Sequence, residues 1–216
     1  MRVVMIHAIA ESIPPVRMAF GDVFPEAEVV NLLDEGLLID FDGKLTLQLI
    51  RRMSSLVSYS ADHGADAIGL ACSVYAPAVK TIKHLVDVPL VSSYGPVMAD
   101  AVALGPKIGI IASVPATIRD AEHYLWEEAK QQNAKIEPYP RLAEDLIQVL
   151  RQEGEAGFQK RLAEEVNSLG PQVDAVLLSQ FSMATAFDHV SKNCPVPVLS
   201  PAHSSARRLK ELLQAA

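Results

Sequence analysis

Cysteine is scarce. Only Cys72 and Cys194 occur in 216 residues, too few and too distant for a disulfide framework or a zinc-ribbon spacing. A cytoplasmic setting with reduced thiols is the expectation. Long apolar runs are also missing. None approaches the ~20 residues that span a bilayer, and Val3 to Ile6, ahead of His7 and Glu11, is too short for a signal-peptide core. No membrane partner is expected. Positive charge is in deficit, with 19 Lys and Arg against 26 Asp and Glu and a formal net charge of −7. That argues against a nucleic-acid partner, which calls for a basic face. It leaves room for a small anionic or carbonyl-containing substrate, because charge within a cleft can oppose the net charge. The chain also lacks Gly-x-Gly-x-x-Gly, a phosphate-binding Gly-Lys-Ser/Thr loop, His-Glu-x-x-His and Gly-x-Ser-x-Gly. Those absences point away from nucleotide cofactors, zinc proteolysis and the usual esterase elbow. Chemistry without cofactor or metal is the expectation.

What is present is a repeat. Asp66-Ala67-Ile68-Gly69-Leu70-Ala71-Cys72-Ser73-Val74-Tyr75 is an apolar run closing on a thiol and small or polar residues. A buried parallel strand with chemistry just past its carboxyl end has this pattern. Asp174-Ala175-Val176-Leu177-Leu178-Ser179-Gln180-Phe181-Ser182-Met183 echoes it 108 positions later (66 to 174). Pro89-Leu90-Val91-Ser92-Ser93 and Pro197-Val198-Leu199-Ser200-Pro201 share the same offset of 108. Arg2 to Ala8 resembles Lys107 to Ser113 at an offset of 105, and Pro14 and Pro115 follow in turn. Segments recurring in one order at nearly one offset indicate a duplicated unit. The counterpart of Cys72 is then Gln180.

Strands are expected at Arg2–Ile6, Ala27–Leu32, the Asp66 and Pro89 runs, Lys107 onward, Ile136–Pro138 and the Asp174 run. A loop is expected from Asp34 to Gly43. Leu45, Leu49, Met53, Leu56 and Val57 give Lys44–His63 a helical spacing, with Gly64 placed to end it. Further helices are expected at Pro77–Leu85, Val97–Leu104, Ala116–Gln131, Arg141–Arg151, Glu155–Leu169 (broken from its predecessor at Gly154) and Ser204–Leu213. Strands alternating with helices specify a parallel sheet. The fold class is α/β: two similar lobes, each a parallel sheet flanked by helices and related by internal duplication, with a cleft between them. The first lobe takes residues 1–95 plus 202–216, the second 96–201. A homo-oligomer is compatible with this organisation.

Cys72 is the sharpest candidate for chemistry. A thiol at a strand end, facing the amino end of a helix, has its thiolate favoured by the helix dipole and nearby N–H groups; the competing reading is an ordinary buried cysteine. Cys194, beside Pro195, reads as structural. Gln180 hydrogen-bonds but moves no proton at neutral pH, so it either caps the following helix or orients a carboxylate or carbonyl. Ser73, Ser92, Ser93, Ser113, Thr117, Ser182 and Ser200 follow strand ends, where they cap helices or together cradle an anion. His7 and His203 hold positions suited to acid/base work or to structural hydrogen bonds. Tyr75 and Tyr94 either donate to a developing oxyanion or pack.

At these residues the chain resembles the aspartate/glutamate/hydantoin racemase superfamily, over essentially its full length. Asp66 to Cys72 is similar to the segment carrying that family's first catalytic cysteine, and Asp174 to Met183 to the segment carrying the second. The resemblance implies two α/β lobes with the active site between them. One thiolate removes the α-proton beside a carboxylate or carbonyl, and a second thiol delivers a proton to the opposite face. This chain departs from the pattern at the second cysteine position, which is Gln180. The lone first-lobe thiol invites comparison with arylmalonate decarboxylases, which keep only the second-lobe cysteine, and with maleate isomerases, which use a first-lobe cysteine as nucleophile.

Three functions follow as expectations. The first is a cofactor-independent racemase or isomerase with Cys72 as acid/base thiol and Gln180, His7 or His203 as further catalytic groups. Its substrate would be held by Ser73, Val74, Tyr75, Ser92, Ser113, Thr117, Phe181, Ser182 and Ser200. The second is a decarboxylase or lyase in which Cys72 serves one face. The third is a non-catalytic small-acid binding protein.

Overall fold

The computed structural model describes residues 1–215. The chain divides into two compact units: Met1–Pro96 with the chain from Ala202 onward, and Val97–Pro201.

The first unit opens with β1 (Arg2–His7), α1 (Ile13–Val23), β2 (Glu28–Leu33) and the short α2 (Gly36–Ile39). α3 (Leu47–Asp62) starts where Thr46 caps it, the Thr46 side chain accepting from Leu49 N–H at 3.3 Å. β3 (Ala67–Leu70) is followed by a 3-10 segment over Ser73–Ala78, then α4 (Val79–Ile82), a further 3-10 turn at Lys83–Leu85 and β4 (Leu90–Val91). The strands are all parallel, in the order β2-β1-β3-β4. β3 is buried along its whole length and β1 beyond Arg2, as a strand covered on both faces should be. Ile6, Ile68, Leu70, Met53 and Val57 meet in its core. Each such side chain stabilises the fold by roughly 1.5–3 kcal/mol relative to exposure.

α5 (Gly95–Leu104) begins at the end of this unit and leads into β5 (Lys107–Ala112), α6 (Pro115–Gln131), β6 (Glu137–Leu142), α7 (Leu146–Leu169), β7 (Ala175–Leu178), α8 (Phe187–Ser191) and β8 (Val198–Leu199). Their sheet repeats the first topology, in the order β6-β5-β7-β8, again all parallel. Ile111, Leu162, Val166, Val176 and Leu178 form its core. α9 (Pro201–Gln214) closes the chain, and its Leu209 lies over Gly69 of β3. The fold class read from the sequence, two α/β units with parallel sheets, is the one observed.

The duplication is visible bond by bond. Val3 pairs with Ala67 in one sheet and Ile108 with Ala175 in the other; Ile68 pairs with Leu90, and Val176 with Val198. Arg2 N–H donates to the Asp66 carboxylate at 2.7 Å, and Lys107 N–H to Asp174 at 2.8 Å. The two aspartates that opened the repeat therefore anchor the first strand of each sheet in the same way.

Four expectations change. The segment from Asp34 to Gly43 is not all loop but contains α2. Pro77–Leu85 is not one helix: Pro77 sits inside the 3-10 segment, and only four residues go on to α geometry. Ile136–Pro138 is a six-residue edge strand that carries Arg141, so the next helix starts only at Leu146. Its Pro138 and Pro140 share one parity, so neither removes a ladder donor, as an edge strand permits. α1 had no counterpart in the sequence reading; it opens with Pro14 in its first turn, the position proline tolerates. The break at Gly154 is present, with φ of 70° and ψ of −166°.

Candidate active site

In the first unit the parallel register continues past the strands. Ala71 N–H donates to Ile6 O at 2.9 Å, which sets His7 and Cys72 at the same carboxyl edge. Cys72 is extended, with φ of −134° and ψ of 120°, and the chain then turns into the 3-10 segment. The backbone N–H groups of Val74 and Tyr75 lie near enough to the sulfur to favour its thiolate, although Tyr75 N–H donates to Cys72 O at 3.3 Å. Both stabilise the thiolate, as anticipated for a strand-end thiol, but burial outweighs them and pushes the Cys72 thiol above its ordinary range. The expected net lowering is corrected for a physical reason. Six residues of 3-10 helix and four of α-helix offer little aligned dipole.

His7 is fully buried and committed on both sides of its ring. Nδ1 lies 2.6 Å from Ser12 Oγ and Nε2 2.9 Å from the Asn31 side chain. Ser12 gives its one proton to Ile9 O at 2.8 Å, so it accepts from His7 Nδ1–H. Burial holds the imidazole below its usual pKa, in the neutral form. Nε2 is then an acceptor, best served by the Asn31 amide turned with Nδ2 inward, and Nδ2 otherwise has no partner. His7 is thus a satisfied core histidine. His203 lies elsewhere: its Nε2 is 3.3 Å from Asp22 Oδ2, in the last turn of α1, at the far end of that helix from the Cys72 edge. The expectation that His203 joins Cys72 is corrected by this placement.

Tyr75 also changes role. It has no exposed surface, and its hydroxyl donates to Leu37 O at 2.7 Å. Burial and the neighbouring thiol push its pKa up to about 12. It anchors α2 rather than serving an oxyanion. The same α2 region is held by Arg52, which grips Asp34 through two nitrogens at 2.6 Å and reaches Asp40 at 2.9 Å. A groove of about 350 Å³ lined by Asp40, Asp42, Thr46, Gln48, Leu49 and Arg52 opens beside it. Gly36 lets the guanidinium lie against the backbone: a Cβ there would collide with Arg52 Nη1 and Nη2. None of these contacts was legible in the sequence, because their partners are up to 38 residues apart. Ser73 and Val74 stay partly exposed at the edge. Ser92 accepts from Gly95 N–H at 2.8 Å and closes the turn into α5, while Ser93 Oγ is buried without a partner.

In the second unit Gln180 holds the Cys72 position, with φ of −125° and ψ of 139°, ahead of the 3-10 segment Phe181–Ala186. Its Oε1 accepts from both Ser113 N–H, at 2.8 Å, and Ser113 Oγ–H, at 2.9 Å. Both Ser113 donors are thereby spent on Gln180. Thr117 is partly buried in the first turn of α6, Phe181 is nearly buried, and Ser182 is exposed. Ser200, at the end of β8, is buried with no partner for Oγ. Cys194 packs against the core, with Sγ beside Gly170. Among the described residues no group of three or more His, Cys, Asp or Glu is placed to hold a metal ion, and no helix is long and apolar enough to cross a membrane.

No family model matches the sequence, nor does any curated protein sequence. Solved structures do. Allantoin racemase from Klebsiella pneumoniae superposes with a TM-score of 0.77 at 16% identity, over 100% of this chain and 88% of that one. An aspartate racemase homologue from Pyrococcus horikoshii gives 0.74 at 16% identity, over 99% of each chain. A glutamate racemase from Bacillus anthracis gives 0.71 at 15% identity, over 99% of this chain and 81% of that one. The chain is similar to these proteins along its whole length, and its fold is the one they share.

Proposed function

We propose that the chain is a cofactor-independent racemase or isomerase of the aspartate/glutamate/hydantoin racemase superfamily. It acts at the carbon next to a carboxylate or related carbonyl of a small molecule, with amino acids and hydantoins the leading substrate class. The observation that carries this reading is the seat of Cys72. A partly buried thiol follows a central parallel strand, with the N–H groups of Val74 and Tyr75 near enough to favour its thiolate, on a fold shared with racemases. Cys72 would take the α-proton as thiolate and return one as thiol, while N–H groups at the strand edges bind the substrate's anionic oxygens.

A second reading has its own support. Gln180 holds in the second unit the strand-end position that Cys72 holds in the first, and an amide transfers no proton at neutral pH. Burial also keeps the Cys72 thiol protonated in the resting protein. A protonated thiol on one side suits delivery to a carbanion left by decarboxylation or elimination. The protein would in that case be a decarboxylase or lyase.

Proton NMR in heavy water separates these readings. The protein and Cys72→Ala are each incubated with amino acids of both hands, hydroxy acids, hydantoins, malonates and maleate. Loss of the α-proton from both enantiomers, abolished by Cys72→Ala, is the racemase result. Deuterium on one face only, with loss of carbon dioxide or a leaving group, is the decarboxylase or lyase result. Full turnover by Cys72→Ala would overturn the assignment of Cys72, and binding without turnover would favour a small-acid binding protein.

A further inference from the structure

Ser113 and Gln180 form a clamp with no equivalent in the first unit. By the register of the two sheets, the residue that stands to Cys72 as Ser113 stands to Gln180 is Ala8, a buried residue without a hydroxyl. The replacement of a thiol by an amide therefore comes with a second change that fits the amide alone. The clamp also decides which end of the amide is which. Ser113 brings two donors, N–H and Oγ–H, and the only group of Gln180 that receives them is Oε1. With the oxygen fixed on its own sheet edge, the side chain can turn only its nitrogen outward. Gln180 is partly exposed, and none of the described residues accepts a hydrogen bond from Nε2. On the neighbouring strand end, the buried Ser200 Oγ likewise has no protein partner. An unclamped glutamine offers either an acceptor or a donor. This one offers two N–H groups in a set direction.

We infer that Gln180 is a fixed hydrogen-bond donor to a carboxylate or carbonyl oxygen of the substrate, oriented by Ser113 as its positioning residue. The inference rests on the reading of the chain as an enzyme acting beside such a group, and it assigns the second-unit position a task other than proton transfer. Nε2–H meets the negative charge on that oxygen without giving up its proton, so the amide is unchanged by the contact. The ligand class follows: an oxyanion or carbonyl oxygen, and not a substrate ammonium, which a pure donor would repel.

The test follows Nε2 directly. Protein labelled with ¹⁵N at glutamine side chains gives a Gln180 amide pair, assigned by its disappearance in Gln180→Glu. Malonate, aspartate, glutamate and allantoin are titrated in turn, with the backbone amides of Val74 and Tyr75 as reporters beside Cys72. A downfield shift of the Gln180 pair on saturation with at least one of them is the expected result. Ser113→Ala should weaken that shift and let the pair average, whereas Ser113→Thr keeps both donors and should restore it. In turnover, Gln180→Glu keeps an oxygen for Ser113 but replaces the outward donors by an acceptor. It should raise KM or lower kcat by about 10- to 150-fold, the range for one charge-assisted hydrogen bond. Ligands that move Val74 and Tyr75 but leave the Gln180 pair in place would overturn the inference. So would a Gln180→Glu protein with unchanged kinetics, or a panel that moves neither reporter. If Cys72→Ala keeps its activity while the Gln180 pair still shifts, the fault lies with the role of Cys72 and the donor role stands.

Discussion

Gln180 occupies in the second unit the backbone position that Cys72 occupies in the first. Both are extended, both open a six-residue 3-10 segment, and their carbonyls accept from Tyr75 N–H at 3.3 Å and Met183 N–H at 3.1 Å in turn. A duplicated scaffold thus carries two different chemistries at one address. A thiol can shuttle a proton, and an amide can only hold an oxygen or a donor.

The thiol itself yields a measurable consequence. Burial pushes Cys72 above its ordinary value of 9.0, because its two backbone donors do not repay the loss of water. At neutral pH it is protonated, and its thiolate fraction rises only as the pH climbs past 9.0. Alkylation by iodoacetamide, followed by mass spectrometry in a Cys194→Ser background, should accelerate with pH and reach its midpoint above 9.0. A midpoint at or below that value would mean that the N–H groups of Val74 and Tyr75 prevail over burial.

Much of this was legible in the sequence, and the remainder has a definable cause. The duplication showed because strands end where small polar residues begin, so Asp66/Asp174 and Cys72/Gln180 keep one offset whatever the helices do. Short-range signals also served well at Gly64 and Gly154, whereas the cap at Thr46 was not singled out. What stayed hidden was long-range pairing: Ser113 to Gln180 spans 67 residues, and Tyr75 to Leu37 spans 38. The serine cradle illustrates the loss. Ser92 and Ser113 sit at the anticipated edges, yet the structure commits one to a backbone N–H and the other to Gln180. The run after Cys72 was misread as one helix because apolar periodicity does not distinguish 3-10 from α geometry over so few residues.

His7 links core packing to pH. Its folded-state pKa lies below the ordinary 6.5, so the unfolded chain binds a proton more readily than the folded one. The stability owed to the neutral ring is complete above 6.5 and is lost as the pH falls from there through the folded value. Urea midpoints should therefore drop between pH 7.5 and 5, and His7→Gln should flatten that part of the decline. An equal slope in both proteins would show that His7 does not control it.

Gly36 and Arg52 should behave as one unit. A Cβ at residue 36 meets a guanidinium that Asp34 and Asp40 already hold in place, so Gly36→Ala must displace it. The ion pairs are partly exposed, so each single substitution should cost little. Once Arg52 is removed, the three atoms nearest to that methyl are gone. Gly36→Ala with Arg52→Ala should then cost no more than Arg52→Ala alone, a coupling that a double-mutant cycle in urea reads directly. Simple additivity would place the strain elsewhere.

Tyr75 gives the corresponding prediction at alkaline pH. Its hydroxyl must stay protonated to donate to Leu37 O, and its pKa is pushed from 10.0 up to about 12 in the folded protein. Because the folded value is the higher one, the stability it contributes is complete below pH 10 and is lost as the pH rises toward 12. Tyr75→Phe leaves the Leu37 carbonyl buried without its donor, at a cost of about 1–3 kcal/mol near neutrality. The gap between the two proteins in urea should shrink above pH 10, since ionisation then takes from the native protein what the substitution has already removed. Hydrogen exchange should place the loosening in α2, the element Tyr75 fastens. A gap that stays constant from pH 8 to 12 would mean that packing of the ring, rather than the hydroxyl, holds α2 down.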